Sequence, residues 1–351
     1  MQRSSPLLNT TRYPRCKVDM KIAITGGAGF IGAHLTRAYL DAGHDVLVID
    51  NLAHGFRQDI DPRARFYQVD IRDEKLRTIL QMERPDIVSH HAAQQTDLPG
   101  EQALRDADLH IRGLLNVLDS CVNASVHKFI FASGGDSMYG HVASEALPIS
   151  EDMPLSPHNS HDISKAAGEW YVRYYTRQYR LKHSILRYAN VYGDRESAPT
   201  QHPLCQFLSL LSEQRRPVIR GTGKEIHDHI FIDDVIQANI CALKLGENHT
   251  LHISTGQGSA LNRLYSLAGQ ALECKLEPLY LAVPPVASPP IVLDNTQAYS
   301  TLGWRPRVSL EEGIEQMVAH LRVRQEKFKG REINTISNIV IEPKATLIRA
   351  S

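Results

Sequence analysis

The stretch KIAITGGAGFIG, from Lys21 to Gly32, determines the fold of this chain. Its first five residues have the mostly apolar character of a buried strand, and a helical pattern continues after them. Glycines between a strand and a helix let backbone N–H groups and the positive end of the helix meet a pyrophosphate. We therefore expect a dinucleotide over this turn, held by Gly26, Gly29, Phe30, Ile31 and Gly32.

The second expected strand ends in an acidic residue. Val46–Asp50 is apolar apart from Asp50, which lies 18 residues beyond Gly32. A carboxylate at this place accepts hydrogen bonds from the adenosine ribose hydroxyls and repels the 2′-phosphate of NADP. The cofactor expected from these residues is NAD.

Short apolar runs alternate with helical patterns from residue 21 to about residue 190. This alternation predicts an α/β fold, a Rossmann domain with a doubly wound parallel sheet. The expected strands are Lys21–Thr25, Val46–Asp50, Phe66–Asp70, Ile87–His90, Lys128–Ser133 and Ser184–Arg187. The expected helices are Ile31–Ala42, Lys75–Met82, Leu104–Ala124 and Ile163–Arg180.

Beyond residue 190 a less regular pattern predicts a smaller C-terminal α/β domain that binds substrate. It includes the helices Leu204–Gln214, Val235–Leu245 and Leu310–Arg324 and the proline-rich loop Val283–Pro290. We expect a disordered leader over residues 1–19, an NAD-binding domain over 20–190 to which 228–255 return, a substrate-binding domain over 191–227 and 256–328, and a tail over 329–351.

The composition is that of an ordinary globular protein. The 351 residues carry 39 basic and 39 acidic side chains, so no field that attracts nucleic acid or an anionic membrane is indicated. Five dispersed cysteines without CxxC spacing indicate reduced thiols in a cytoplasmic protein. No apolar run has the length of a membrane span, and the leader lacks the apolar segment of a secretory signal.

A series of further motifs extends from about Lys21 to Arg324. They are Thr25–Gly32, Asp50–Leu52, Val69–Asp73, His90–Gln94, Tyr139–Gly140, Ile163–Glu169, Arg187–Gly193, Asp233–Val235 and Leu302–Trp304. Together they resemble the extended short-chain dehydrogenase/reductase family, and within it the group of UDP-glucose 4-epimerases and sugar-nucleotide dehydratases. The resemblance is specific for the family and not for one substrate.

The resemblance implies a bound NAD that takes a hydride from a sugar carbon and usually returns it. It also implies a homodimer, because in the family the helices equivalent to Leu104–Ala124 and Ile163–Arg180 pair into a four-helix interface. The implied cofactor positions are Asp50 and Asn51 at the adenosine ribose, Asp70 and Ile71 at the adenine, Ala92 and Ala93 along the cofactor, Lys165 at the nicotinamide ribose, Tyr188 near the nicotinamide, and His110 and Ser133. The implied substrate positions are Asn190 near the diphosphate, His227 and Ser137.

The sequence departs from the family at residues expected to carry out the reaction and to hold the substrate. The family places a catalytic tyrosine four residues before the lysine, where this chain has His161. The hydroxyl expected after the fifth strand falls on Gly134, and an asparagine near the cofactor is His110. The arginine that grips the diphosphate is His227, and a second arginine is not evident in Pro284–Val292.

These departures allow two interpretations. In the first, the chain is an enzyme in which His161 is the base and Lys165 its partner. Histidine titrates near 6.5 in water and tyrosine at about 10, and a neighbouring ammonium favours the neutral imidazole that accepts a proton. In the second, the chain is a catalytically silent NAD-binding homologue that serves as a sensor, a scaffold or a partner subunit.

No metal is expected. The pairs His227/His229 and His90/His91 lie on extended chain, where neighbouring side chains diverge, and so do not form ligand sets alone. His90 is expected to pack beneath the cofactor. The acidic pair Asp233-Asp234 is expected to open a helix, and the tyrosines Tyr171, Tyr174, Tyr175 and Tyr179 are expected to form a packed interface.

Overall fold

A computed structural model describes residues 19–94, 102–135, 137–194, 202–282 and 290–337, without the side chains of 137 and 327–337. The strands are β1 (Lys21–Thr25), β2 (Asp45–Asp50), β3 (Arg65–Gln68), β4 (Ile87–His90), β5 (Lys128–Gly134), β6 (Lys182–Tyr188), β7 (Asn190–Tyr192), β8 (Val218–Arg220), β9 (Ile226–Phe231), β10 (His249–Ile253), β11 (Gly258–Ala260) and β12 (Leu279–Leu281). The helices are α1 (Phe30–Asp41), α2 (Lys75–Glu83), α3 (Gln102–Ala107), α4 (Leu114–Asn123), α5 (Ser160–Tyr179), α6 (Pro203–Ser212), α7 (Ile232–Ala242), α8 (Leu261–Ala271), α9 (Thr296–Leu302) and α10 (Leu310–Ser337).

Seven parallel strands form the central sheet in the order β10-β6-β5-β4-β1-β2-β3. Alternate residues of each strand enter separate cores, so that Ile22 and Ile24 face one side and Ala23 the other. Both faces are covered, as the apolar strands predict. The chain leaves β1 in one direction towards β3 and then returns to place β4 on the other side of β1. Ligands bind at such a switch point. The predicted Rossmann fold is confirmed.

Three segments differ from the sequence prediction. The helix expected over Leu104–Ala124 is interrupted by a π-helical turn, Asp108–Gly113, between α3 and α4. The third strand ends at Gln68 because Asp70 belongs to a turn in which its carboxylate accepts the N–H of Arg72. The last helix, α10, extends beyond Arg324 to Ser337 and so enters the expected tail.

The segment 228–255, expected to return to the NAD-binding domain, contains α7, which packs against α1, and β10, which joins the central sheet beside β6. The strand β9 instead pairs with β7 and β11 in a separate three-stranded sheet. The strands β8 and β12 form a further parallel pair. These small sheets and α6, α8 and α10 build the region expected to bind substrate.

Several other expectations concern parts of the chain that the structure describes incompletely. Residues 1–18 of the expected leader, residues 283–289 of the expected loop and residues 338–351 of the expected tail lie outside the described residues.

Cys121, Cys205, Cys241 and Cys274 are free thiols. Within the described residues, no helix combines the length and the apolar character needed to span a bilayer.

Candidate active site

The glycine turn brings α1 directly against the end of β1. Gly26 has a φ of +72° and donates its N–H to the carbonyl of Ile49 at 2.9 Å. A Cβ at Gly32 would lie 2.2 Å from the carbonyl oxygen of Gly26, so a side chain at this position would push the helix away from the turn. The result is a cradle of backbone at a helix N-terminus, which fits the pyrophosphate of a dinucleotide.

Asp50 closes the other side of this cradle. Its carboxylate accepts the N–H groups of Ala28 at 3.0 Å and of Leu52 at 2.8 Å. The acid therefore also holds the glycine turn in shape. Next to it, the side chain of Asn51 donates to Asp70 at 2.8 Å. Hydrogen bonds from Arg72 are the largest cause that lowers the pKa of Asp70.

A cavity of about 470 Å³ lies between these groups and the loop after β4. Among the residues that line it are most of those that the sequence assigns to the cofactor, namely Gly26, Gly29, Phe30, Asp50, Asn51, Asp70, Ile71, Ala92 and Ala93. Ile31 and Gly32 lie in α1 behind the turn. The remaining candidates, His110, Ser133, Lys165 and Tyr188, lie on other elements. We refer to His110, His161 and Lys165 as the histidine pocket.

Lys165 lies on α5, a helix whose first turn is fixed by Asn159, which accepts the N–H of Asp162 at 2.9 Å. The ammonium donates to the carbonyl of Ala132 at 3.0 Å and lies 5.1 Å from the ring centre of Phe131. Burial lowers the pKa of Lys165 to about 8. The lysine is thus held at the carboxyl end of β5.

His161 lies one turn before Lys165 on the same helix, as the spacing predicts. Its ring meets the ring of His110 edge to face, with 4.6 Å between the ring centres. Burial is the largest cause that lowers the pKa of His161, and the charge of Lys165 adds to it. Burial likewise lowers the pKa of His110 to about 3. Both imidazoles are therefore neutral at pH 7.

Two neighbours of these histidines were not found from the sequence. The carbonyl of Gln94 accepts the Nε2–H of His110 at 3.1 Å. Asp106 is buried on α3 and accepts a hydrogen bond from Ser160 Oγ. One ligand atom each of Asp106, His110 and His161 lies within 4.8 Å of the others. The signal available in the sequence was the spacing of four residues from Asp106 to His110 in an expected helix.

A buried ionic network lies beneath the pocket. Ser133 Oγ donates to Glu169 at 2.8 Å, and Arg187 binds the same carboxylate through two hydrogen bonds of 2.8 and 2.7 Å. Arg187 also donates to the hydroxyl of Tyr139, which contacts His252 Nε2 at 2.5 Å. The hydroxyl of Ser133, assigned to the cofactor from the sequence, is therefore held by Glu169.

The resemblance implies a hydroxyl group after the fifth strand, at a position where this chain has a glycine. Gly134 is the last residue of β5, and a Cβ there would meet Met138 Sδ at 3.5 Å, an ordinary contact distance. A serine would fit at this position, so its absence is not imposed by packing. Ser137 lies in a short 3-10 helix after the strand, and its side chain lies outside the described residues.

The substrate candidates Asn190 and His227 lie on neighbouring small strands. Asn190 on β7 lies opposite His229 on β9, and His227 is two residues before it. His202, which the sequence did not single out, contacts His229 through ring nitrogens 3.0 Å apart. Between the two histidines of β9, Asp228 turns away and accepts the N–H groups of Thr255 and Gly256.

The remaining sequence candidates have structural partners. His90 is buried, contacts Thr25 Oγ1 at 2.7 Å and packs in the core against the rings of Phe129 and Phe131. Tyr188 stacks on His91 and donates to Asn239 at 3.1 Å. Asp233 and Asp234 lie in the first turn of α7, and the carboxylate of Asp234 accepts two backbone N–H groups. That pair is therefore part of a helix start, as expected.

Comparisons with known proteins agree with this architecture. The family model described as the NAD dependent epimerase/dehydratase family matches residues 22–254. A putative UDP-glucose 4-epimerase of Methanocaldococcus jannaschii is 33% identical over 299 residues, which are 85% of this chain and 97% of that protein. A dTDP-D-glucose 4,6-dehydratase of Mus musculus is 28% identical over 89% of this chain and 91% of its own length.

Solved structures agree as well. The UDP-glucose 4-epimerase of Thermotoga maritima, determined with UDP-glucose, superposes with a TM-score of 0.81 at 35% identity and covers 86% of this chain and 99% of its own. The Thermus thermophilus UDP-glucose 4-epimerase, determined with NAD, gives a TM-score of 0.79 at 30% identity with the same two coverages.

Proposed function

The chain belongs to the NAD dependent epimerase/dehydratase family, and we propose that it uses NAD to oxidise a carbon of a sugar nucleotide or related polyol. NAD is its cofactor, and the cradle at Gly32 and Asp50 fits that molecule. The reaction is of the epimerase, dehydratase or dehydrogenase type. One observation carries the proposal: His161 and Lys165 lie one helical turn apart, beside a cavity lined by the cofactor motifs.

In the proposed reaction, NAD supplies the hydride acceptor and the protein moves the proton. As the hydride leaves the substrate carbon, neutral His161 accepts the proton of the hydroxyl on that carbon, and a carbonyl group forms. Lys165 would hold the nicotinamide ribose, and burial together with the charge of Lys165 lowers the pKa of His161, so that the imidazole is in the neutral form that accepts a proton. The network of Glu169 and Arg187 holds the end of β5 in place.

The substrate differs from UDP-glucose in this proposal. His227 stands where the family resemblance implies an arginine at the diphosphate, so the charge-assisted bidentate contact expected of that arginine, worth about 1.5–3 kcal/mol, is absent. We expect weak or absent epimerase turnover of UDP-glucose in a coupled assay. Ordinary turnover would show that other residues hold the diphosphate.

The test of the function is single-turnover formation of NADH, followed by its absorbance. The full chain is loaded with NAD and mixed with a panel of sugar nucleotides and polyols, including any small molecule that copurifies and is identified by mass spectrometry. A substrate-dependent rise in absorbance supports the proposal. A tightly bound, identified ligand that gives no NADH contradicts it and favours the silent NAD-binding homologue.

We also propose that the chain forms a homodimer through α3, α4 and α5. Exposed apolar side chains lie on α3 and α5: Leu104 is 78% exposed, Ile163 51% and Trp170 62%. Light scattering at micromolar concentration is expected to give twice the chain mass of 39.3 kDa. Trp170→Glu is expected to give the monomer, whereas Met82→Glu, at an exposed site on α2, is the matched control. A monomeric native protein would contradict the proposal.

A further inference from the structure

Two departures from the family and one further residue converge at one place beside the cofactor cavity. His161 replaces the tyrosine, His110 replaces the asparagine, and Asp106 lies four residues before His110 along the interrupted helix. One ligand atom of each lies within 4.8 Å of the others. Two imidazoles and one carboxylate, contributed by separate segments of chain, are a donor set that proteins use for transition metals.

The surroundings of the two imidazole rings leave one nitrogen of each ring available to a metal ion. A carbonyl oxygen only accepts hydrogen bonds, so the contact with Gln94 places the proton of His110 on Nε2 and leaves a lone pair on its other nitrogen. Metal-binding histidines are oriented in this way by a carbonyl behind them. Independently, Nδ1 of His161 is buried and has no hydrogen-bond partner within the described part of the chain.

The carboxylate of Asp106 is also oriented by a hydrogen bond from a neighbouring group. Ser160 Oγ donates to one oxygen of Asp106, Oδ2, and so orients the group. Asp106 is buried, at 3% exposure, where an unpaired carboxylate is costly. A divalent cation between the carboxylate and the two rings would satisfy all three groups. Lys165 opposes the cation, but its ammonium is bonded to the carbonyl of Ala132.

We propose that Asp106, His110 and His161 bind a divalent transition-metal ion of the zinc class. Imidazole nitrogens select such ions over Mg²⁺ and Ca²⁺, which prefer sets made of oxygens. Three protein ligands leave one position of a tetrahedral ion open to water or substrate. Asp106 also lines the cofactor cavity, and His110 is a predicted cofactor position, so binding of the metal is measured without NAD.

The consequence for catalysis rests on the proposed function. A metal that takes the lone pair of His161 leaves the imidazole unable to accept the hydroxyl proton. Zn²⁺ is therefore expected to inhibit hydride transfer, and a chelator is expected to restore it.

Calorimetry tests the site without any assay of activity. The tag-free full chain, stripped with a chelator and dialysed, is titrated with Zn²⁺ and is expected to bind one ion per chain. His110→Asn and Asp106→Asn are each expected to weaken binding at least tenfold. The matched control His141→Asn, at an exposed histidine outside the cluster, is expected to bind as the native chain does. A native circular dichroism spectrum and an unchanged midpoint of thermal unfolding show that each variant is folded.

A second measurement needs no variant. Co²⁺ added to the stripped native chain is expected to give the visible absorption of a tetrahedral site without a thiolate charge-transfer band. A strong thiolate band would place the metal on a cysteine and overturn the proposal. No stoichiometric binding of Zn²⁺ to the native chain, or equal binding by the native chain and both cluster variants, would also overturn it.

These results separate the site from the function. Zn²⁺ binding that is lost in the cluster variants, with no hydride transfer from any substrate, supports the metal site and contradicts the proposed function. Hydride transfer by a chain that binds no Zn²⁺ supports the function and overturns the site. Hydride transfer that increases with Zn²⁺ supports the site and contradicts the role of His161 as the base.

Discussion

The cofactor cradle and the histidine pocket lie side by side but satisfy their polar groups differently. In the cradle, Asp50 accepts two backbone N–H groups and Asp70 is held by Arg72 and Asn51. In the pocket, Nδ1 of His161 is buried without a partner within the described residues. Buried groups normally have partners, and exceptions concentrate where a ligand or a reaction supplies one. The two acids of the cradle thus have their partners within the protein, whereas His161 keeps a nitrogen available for a ligand or a reaction.

The largest expected effect tests the pocket against the cradle. His161→Phe removes the proposed base and keeps a ring of similar size, so single-turnover hydride transfer is expected to fall by about 100- to 10,000-fold. The affinity for NAD, measured by calorimetry, is expected to stay within about twofold because the cofactor motifs lie elsewhere. Equal rates for the native chain and the variant, with an identified substrate, would refute histidine catalysis.

A second effect tests the network beneath the pocket. Arg187→Met leaves the buried carboxylate of Glu169 without its bidentate partner, and we expect a loss of about 3–5 kcal/mol in the free energy of unfolding. Arg173→Met is the matched control, because Arg173 binds the same carboxylate but its side chain is 31% exposed. It is expected to cost about 1 kcal/mol or less. Urea unfolding followed by circular dichroism measures the free energy of unfolding of both variants. Similar losses for the two would contradict a larger contribution from the buried arginine.

The smallest expected effect concerns the cradle. Asp50 at the end of β2 is expected to favour NAD over NADP by at least about tenfold, or about 1.4 kcal/mol. Calorimetric titration of the native chain with each dinucleotide gives the ratio. Equal affinities would mean that the carboxylate does not face the ribose and only holds the glycine turn.

The cradle was predictable because its information is local. The strand, the glycines and Asp50 follow one another within 30 residues, from Lys21 to Asp50, and their spacing alone determines which groups meet. The sequence also predicted that the cradle is intact and that the reaction centre is altered. The motifs around His161 and His110 identify these two positions, so the unusual residues there could be recognised.

The missed features depend on tertiary contact or on subtle helical geometry. Gln94 and Asp106 approach the histidines only after β4, α3 and α5 pack together. The π-helical turn at Asp108–Gly113 is invisible to hydrophobic periodicity, because one additional residue in a turn hardly changes the pattern. The residues after Arg324 lack a strong apolar repeat, so the continuation of α10 was not predicted. The sheet to which β9 belongs depends on its pairing with β7 and β11, which are distant from it in sequence.

The loop after β4 has a consequence of its own. Ala92 and Ala93 line the cofactor cavity, and the next residue, Gln94, lines it too and presents its carbonyl to His110. This short segment therefore contacts both the cofactor cavity and His110, so the position of its backbone is common to the two sites. Displacing the backbone at Gln94 would alter the lining of the cavity and the hydrogen bond of His110 together.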